Sequence, residues 1–259
     1  MWPYPRILAH RGGGTLAPEN TFGGLKRGID FGFRAVEFDV MLARDGVPVV
    51  MHDPFLGRTV NGAGHVFDYD ALELARMDAG SWFGDDYRAE QVPLFVEFAQ
   101  FCKANGIWMN IEIKPARGFD LETGETVARI TRAMFADELA RGETAGIPLL
   151  SSFSLAALSA AQRVAPDLPR ACLMSELPPG WDPLARSVDA RAIHTNHRHL
   201  TPALARAVLD AGFGLFCYTV NEPARAAELL DWGVEAFCTD RIDLIGPDFG
   251  RTPATTGPI

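Results

Sequence analysis

The sequence has 259 residues, of which 47% are hydrophobic and 22% charged, a globular composition that excludes wholesale disorder and suits one large domain. Its formal net charge of −9 argues against a non-specific nucleic-acid binder, which needs a basic face to neutralise phosphates. No apolar run reaches spanning length, and residues 1–6 show no basic region leading into an apolar stretch, so a cytoplasmic chain without stable membrane association is expected. Cys102, Cys172, Cys217 and Cys238 lie far apart, with no CxxC pair, and read as buried, reduced residues.

Short apolar runs alternate with helical patterns along the chain. The predicted strands are Arg6–His10, Ala35–Val40, Ile107–Lys114, Ile147–Ser152, Arg170–Ser175, Arg191–Thr195, Gly214–Val220 and Glu235–Thr239. The predicted helices are Thr21–Phe31, Leu94–Ala104, Leu121–Leu139, Leu155–Val164, Pro202–Ala211 and Pro223–Asp231; the last two start with Pro in the first turn. Repeated βα units predict a parallel sheet, and eight of them predict closure into an α/β fold of the (β/α)8 TIM-barrel type. The rival doubly wound sheet lacks its Gly-x-Gly-x-x-Gly turn after the first strand.

Residues 35–53, AVEFDVMLARDGVPVVMHD, break the rhythm. Asp45-Gly46 between two alternating runs predicts a two-residue hairpin that pairs Arg44 with Val47 and sets Asp39 opposite His52. Residues 54–93 are turn-rich and too irregular for one barrel helix. They read as an insertion over the barrel mouth, inside a single catalytic domain spanning 1–246. The remainder, 247–259, lacks periodicity and is expected to be a mobile tail.

Polar residues collect at the strand ends. His10-Arg11 ends the first strand; Glu37 and Asp39 share one face of the second; Asn110, Glu112 and Lys114 share one face of the third. Barrel strands are ordinarily apolar on both faces, so charges there are costly unless they bind something. Three converging carboxylates without thiolates make an all-oxygen site suited to a divalent cation, Mg2+ or Ca2+; the plainer alternative is an ion-pair network with Arg11 and Lys114. His10 and His52 offer a general acid and base, and the two cations offer charge to a phosphoryl group. Together these predict metal-assisted hydrolysis of a phosphate ester.

His10-Arg11-Gly12, Ala17-Pro18-Glu19-Asn20-Thr21, the 36–53 segment, Arg58-Thr59 with Asn61-Gly62-Ala63-Gly64, Asn110–Lys114, Ser152-Phe153, Tyr218-Thr219-Val220-Asn221 and Thr239-Asp240 together resemble the glycerophosphodiester phosphodiesterase family over roughly 6–245. The resemblance implies a phospholipase-C-like barrel, a divalent metal on Glu37, Asp39 and Glu112, and His10 and His52 as the catalytic pair. It implies phosphate contacts from Arg11 and Lys114, and cleavage of small glycerophosphodiesters to sn-glycerol 3-phosphate and an alcohol. Phe153 and Tyr218 are expected to line the substrate pocket. Tyr218 stands where many members carry Trp. The alternatives are a lysophospholipase-D-like activity, a metal-dependent sugar isomerase or aldolase barrel, and a non-catalytic phosphodiester-binding barrel. Glu19 reads as a brace for the site loop, Asn20 or Thr21 as a helix cap, and Trp82 and Phe83 as packing for the insertion. His194, His197 and His199 run from a strand end into a loop, and the family resemblance uses none of them as a ligand.

Overall fold

The computed structural model describes residues 2–250. Nine strands form its sheet: β1 (Ile7–His10), β2 (Ala35–Leu42), β3 (Pro48–Val50), β4 (Trp108–Ile113), β5 (Leu149–Ser152), β6 (Arg170–Met174), β7 (Ala192–Asn196), β8 (Gly214–Tyr218) and β9 (Ala236–Thr239). Eight run parallel in the order β1-β9-β8-β7-β6-β5-β4-β2, and the β1–β2 pairing closes the ring, giving a (β/α)8 barrel. The eight predicted strands are these eight. β3 is antiparallel and lies along β2 alone.

Closure follows from what alternates along each strand. Leu8, Ala35, Trp108, Leu149, Ala171, Ala192, Phe216 and Ala236 point inward and fill the barrel. Their sequence neighbours, such as Val36, Phe38 and Ile111, pack outward onto the helices. Trp2 and Tyr4 close the amino-end opening: the Tyr4 ring stacks on Trp108 at 4.5 Å and Trp2 lies 5.9 Å from Phe216.

The helices are α1 (Phe22–Asp30), α2 (Ala71–Leu74), α3 (Phe95–Ala104), α4 (Asp120–Met134), α5 (Ala136–Ala140), α6 (Leu155–Val164), α7 (Trp181–Ser187), α8 (Pro202–Asp210) and α9 (Pro223–Asp231). Thr21, Ser154 and Thr201 cap α1, α6 and α8 by accepting from the backbone N–H three residues on. The single helix expected over 121–139 is broken at Phe135, whose ring is buried under Lys103 and turns the chain into α5. α7 was not expected; its seven residues follow Gly180, which supplies the left-handed φ of +81°.

The hairpin differs from expectation by one residue. Leu42 pairs with Pro48 and Val40 with Val50, and Ala43 N–H bonds Val47 O, so the loop is Arg44-Asp45-Gly46 with Gly46 at φ +76°. A three-residue loop with a left-handed Gly competes with the two-residue turn for the same Asp-Gly signal. Asp39 therefore faces Met51, whose N–H bonds Asp39 O at 3.0 Å, and His52 lies past the ladder. The insertion packs on this hairpin: Leu56, Val60, Val66, Ala71, Leu74, Ala79 and Val92 bury against Met41, Ala43, Val49 and Met51. Of the expected tail, Phe249 packs beside α9, and 251–259 lie outside the described residues.

Candidate active site

The chain turns sharply at the carboxyl end of β1. Arg11 and Asn20 hold positive φ values of 49° and 57°, a conformation that costs a non-Gly residue on the order of 1 kcal/mol or more and clusters at functional sites. Bonds from Arg11 N–H to Glu37 O and from Asn20 N–H to Arg11 O hold the two in place. Packing forces α1 close to this loop: a Cβ on Gly28 would lie 2.4 Å from Gly12 O. Asn20 is not the helix cap. Its Nδ2 donates to Asp39 at 2.9 Å, and Thr21 does the capping.

Glu37 and Asp39 on β2 and Glu112 on β4 project inward, and one oxygen from each lies within 4.8 Å of the others, all buried. Arg11 Nε and Lys114 Nζ each stand 3.3 Å from Asp39, and Lys114 is 3.0 Å from Glu112. Burial alone would raise the Asp39 carboxyl, but Arg11, Lys114 and His52 overcome it and hold it well below the usual range. Burial, with the charges of Asp39 and Glu112, pushes Glu37 well above it. Glu112 is pushed up to about 7, by burial first and then by Asp39. Two cations on this side do not suffice to ionise three buried carboxylates together. Glu37 Oε2 has no hydrogen-bond donor; its nearest ion-pair partner is His10 Nε2 at 3.6 Å. Two oxygens bracketing one ion at roughly 2.0–2.6 Å lie up to about 4–5 Å apart, so the cluster has the donor chemistry and the span for a hard divalent cation.

Each predicted histidine is oriented by a carboxylate. His10 Nδ1 lies 2.6 Å from Asp240, and Asn221 fixes that carboxylate by donating from Nδ2 at 2.9 Å while accepting the Asp240 N–H at 2.8 Å. His52 Nδ1 lies 2.6 Å from Asp53, which Arg58 also binds. An ionised carboxylate only accepts, so each Nδ1 carries the proton; His10 Nε2 stands 3.6 Å from Glu37, beyond hydrogen-bond distance. Burial lowers His52 from its ordinary value, with Arg11 and Lys114 assisting against Asp39 and Asp53, so it is neutral at pH 7. Arg58 reaches Glu19 as well, at 2.7 and 2.8 Å, and Glu19 binds Arg11 at 2.7 Å. One ion-pair chain thus ties the insertion to both the Arg11 loop and His52. Asp53, Asp240 and Arg58 stood inside the quoted motifs without a role of their own, and Asn20 was read only as a helix cap; the signal available was their place in those motifs.

These groups surround a cavity of about 210 Å3 at the carboxyl ends of the strands, which His10, Arg11, His52, Lys114, Phe153 and Tyr218 line. The Phe153 and Tyr218 rings meet edge-on at 5.9 Å. A larger cavity of about 490 Å3 lies at the opposite end beside Trp2, Tyr4 and Arg191; it contains none of the converging groups, so the smaller one is the candidate. The three downstream histidines are not brought together. His194 is buried in the barrel, whereas His197 Nδ1 faces Arg225 in a loop. Trp82 and Phe83 pack on one another in the insertion. All four cysteines are buried and free.

Residues 10–244 match the glycerophosphoryl diester phosphodiesterase family. A glycerophosphodiester phosphodiesterase of Caldanaerobacter subterraneus subsp. tengcongensis is 30% identical over 238 residues, covering 90% of this chain and 93% of that protein. An Oleispira antarctica phosphodiesterase, solved in complex with the product sn-glycerol-3-phosphate, is 32% identical with a TM-score of 0.82, covering 91% of this chain and 93% of that one. A glycerophosphodiester phosphodiesterase from Agrobacterium tumefaciens gives a TM-score of 0.76 at 26% identity, over 92% of this chain and 97% of that one. The three-carboxylate cluster, the two oriented histidines and these likenesses agree, and the chain belongs to the glycerophosphoryl diester phosphodiesterase family, a family of hydrolases.

Proposed function

We propose that the protein hydrolyses glycerophosphodiesters to sn-glycerol 3-phosphate and an alcohol in a reaction that depends on a divalent cation. The observation that carries this reading is the convergence of Glu37, Asp39 and Glu112 on one buried point beside two carboxylate-oriented histidines. The product complex of the similar Oleispira antarctica enzyme supports it. Glu37, Asp39 and Glu112 would hold Mg2+ or Ca2+, which supplies Lewis-acid charge against the phosphoryl oxygens. Arg11 and Lys114, each 3.3 Å from Asp39, would place further positive charge beside the phosphate. Of His10 and His52, the one whose Nε2 is unprotonated would take the proton of the attacking hydroxyl, and the other, entering the reaction as the imidazolium with a proton on Nε2, would give that proton to the leaving alcohol. Phe153 and Tyr218 wall the space in which the ester lies.

The insertion, packed on the β2–β3 hairpin, shields the His52 side of the mouth through Arg58. No helix among the described residues is long and apolar enough to cross a membrane, and with the acidic net charge this supports a cytoplasmic enzyme acting on small soluble diesters. One observation favours the lysophospholipase-D-like alternative: Phe119 and Leu121, at the start of α4, and Phe153, just after β5, stand exposed. Measuring kcat/KM for glycerophosphocholine, glycerophosphoethanolamine and lysophosphatidylcholine decides between the two. The two soluble diesters are expected to be turned over with similar efficiency and the lysolipid poorly; a lysolipid preferred over both would transfer the assignment to the lipid-directed activity.

A further inference from the structure

Arg58 stands on a firmly held turn of the insertion. Leu56, Thr59 and Val60 around it are each at most 8% exposed, and Gly57 N–H bonds Val60 O at 2.9 Å. From this base the guanidinium meets two carboxylates from different parts of the chain. Nη1 and Nη2 donate to the two Glu19 oxygens at 2.8 and 2.7 Å, a two-pronged contact, and Nε donates to Asp53. A planar fork serves both carboxylates at once; a lysine ammonium, a point charge, does not match it. The insertion is thereby bonded to the residue beside His52. On the other side of the site, Asp240 behind His10 is held by Asn221 and bonds no insertion residue among the described residues.

The consequence for His52 follows from the chemistry of Asp53. Its Oδ1 lies 2.6 Å from His52 Nδ1 and its Oδ2 takes the Arg58 bond, so each oxygen has its own partner and one orientation of the carboxylate satisfies both. Burial would raise the Asp53 carboxyl, but the bonds from Arg58 and His52 lower it and keep the acceptor ionised. Without the guanidinium, water takes its place at Oδ2, because the Asp53 side chain is 23% exposed. The carboxylate is then free to turn, and the imidazole with it. A reacting side chain stays in productive geometry only when the groups behind it are themselves locked. The Glu19 end of the fork is different: Glu19 keeps its own bond to Arg11 at 2.7 Å whether or not Arg58 is present.

We infer that Arg58 is a positioning residue through which the insertion orients His52 by way of Asp53, so that turnover depends on the insertion as well as on the barrel; the inference rests on the glycerophosphodiesterase reading. The insertion is then part of the catalytic apparatus and not a cover alone, and it acts on one histidine of the pair.

The test variant is Arg58→Met, which keeps the apolar stem and removes the guanidinium. With glycerophosphocholine its kcat should fall about 10- to 100-fold, the scale of a misplaced reacting group, while KM stays nearly unchanged because the Glu19–Arg11 bond remains. In an Asp53→Ala background, where Arg58 has no path to His52, the same substitution should add little further loss. Proton NMR reads the same point without turnover. The Nδ1 protons of His10 and His52, each bonded to a carboxylate, are assigned by comparison with His10→Ala and His52→Ala. Arg58→Met should shift or lose the His52 signal and leave the His10 signal in place, whereas general damage to the site would take both. If Arg58→Met does not fold, Arg58→Gln carries the same comparisons. Normal kcat, a loss expressed in KM instead, a full further loss in the Asp53→Ala background, or loss of both NMR signals would overturn the positioning role and leave the phosphodiesterase reading standing. A wild-type protein that does not turn over glycerophosphocholine would overturn that reading and the inference with it.

Discussion

At the level of single residues the site repeats one device. A histidine at a strand or loop end is fixed through Nδ1 by a carboxylate, and that carboxylate is itself held by a side chain from another segment: Asn221 behind Asp240, Arg58 behind Asp53. The device sets the tautomer and, in the proposed reaction, leaves Nε2 to exchange a proton with the substrate. His10→Ala and His52→Ala should therefore keep the fold, as read by an unchanged melting temperature, and each lose at least about a hundredfold in kcat, the low end for general acid–base catalysis. Near-normal turnover in either variant removes that histidine from the mechanism. Glu19 gives a pH prediction. Burial would raise its pKa, but the bonds and charges of Arg58 and Arg11 lower it. A depressed carboxyl contributes stability that is present above its unfolded value of about 4.3 and lost as the pH falls through the folded one. Glu19→Gln should cost about 1.5–3 kcal/mol at pH 7, the range for hydrogen bonds to charged groups, and progressively less as the pH falls below the unfolded value of about 4.3. Calorimetric melts of both proteins across that range check it; a stability gap that does not narrow on acidification would show that Glu19 contributes through something other than its charge.

Whole elements position these residues by close approach. α1 can lie against the turn after β1 only because Gly28 and Gly24 face it; a Cβ at Gly24 would stand 2.5 Å from Pro18 O. Gly28→Ala should destabilise by about 1–3 kcal/mol, as overpacking does, and should lower kcat as well by displacing the His10–Arg11 turn. Urea midpoints together with turnover test this, and a variant of normal stability and activity would show that the contact relaxes without consequence. Elements of this kind were largely legible in the sequence. Strands declare themselves by alternation, and Glu37, Asp39 and Glu112 stood out as charges at alternating positions of apolar strands. The misplaced features are those decided by tertiary contacts or by competing turn chemistry. Burial of Phe135 ends α4, Asp45-Gly46 fits both a two- and a three-residue loop, and α7 is seven residues long with Pro183 near its start. The partner of His10 was hidden for the same reason: residue 240 meets residue 10, and residue 58 meets residue 19, only in the folded chain, whereas Asp53 is the residue next to His52 and only its side-chain orientation was hidden.

The whole molecule divides its labour along the barrel axis. At the amino end Trp2 and Tyr4 seal the interior with stacked aromatics, whereas at the carboxyl end the inward positions change from Ala and Leu to Glu, Asp, Asn and Ser. That end carries three buried carboxylates, one of them raised well above its ordinary value and another pushed up to about 7. Such an arrangement is stable and useful when a cation shares the charge. Release of sn-glycerol 3-phosphate from glycerophosphocholine, measured after exhaustive EDTA treatment and again after adding back Mg2+ or Ca2+, tests this most directly. The expected result is no turnover above background in EDTA, restoration by one or both ions, and no restoration in Glu37→Gln or Asp39→Asn. Full turnover in the chelated wild-type protein, or restored turnover in those variants, would contradict a cation held by the three carboxylates.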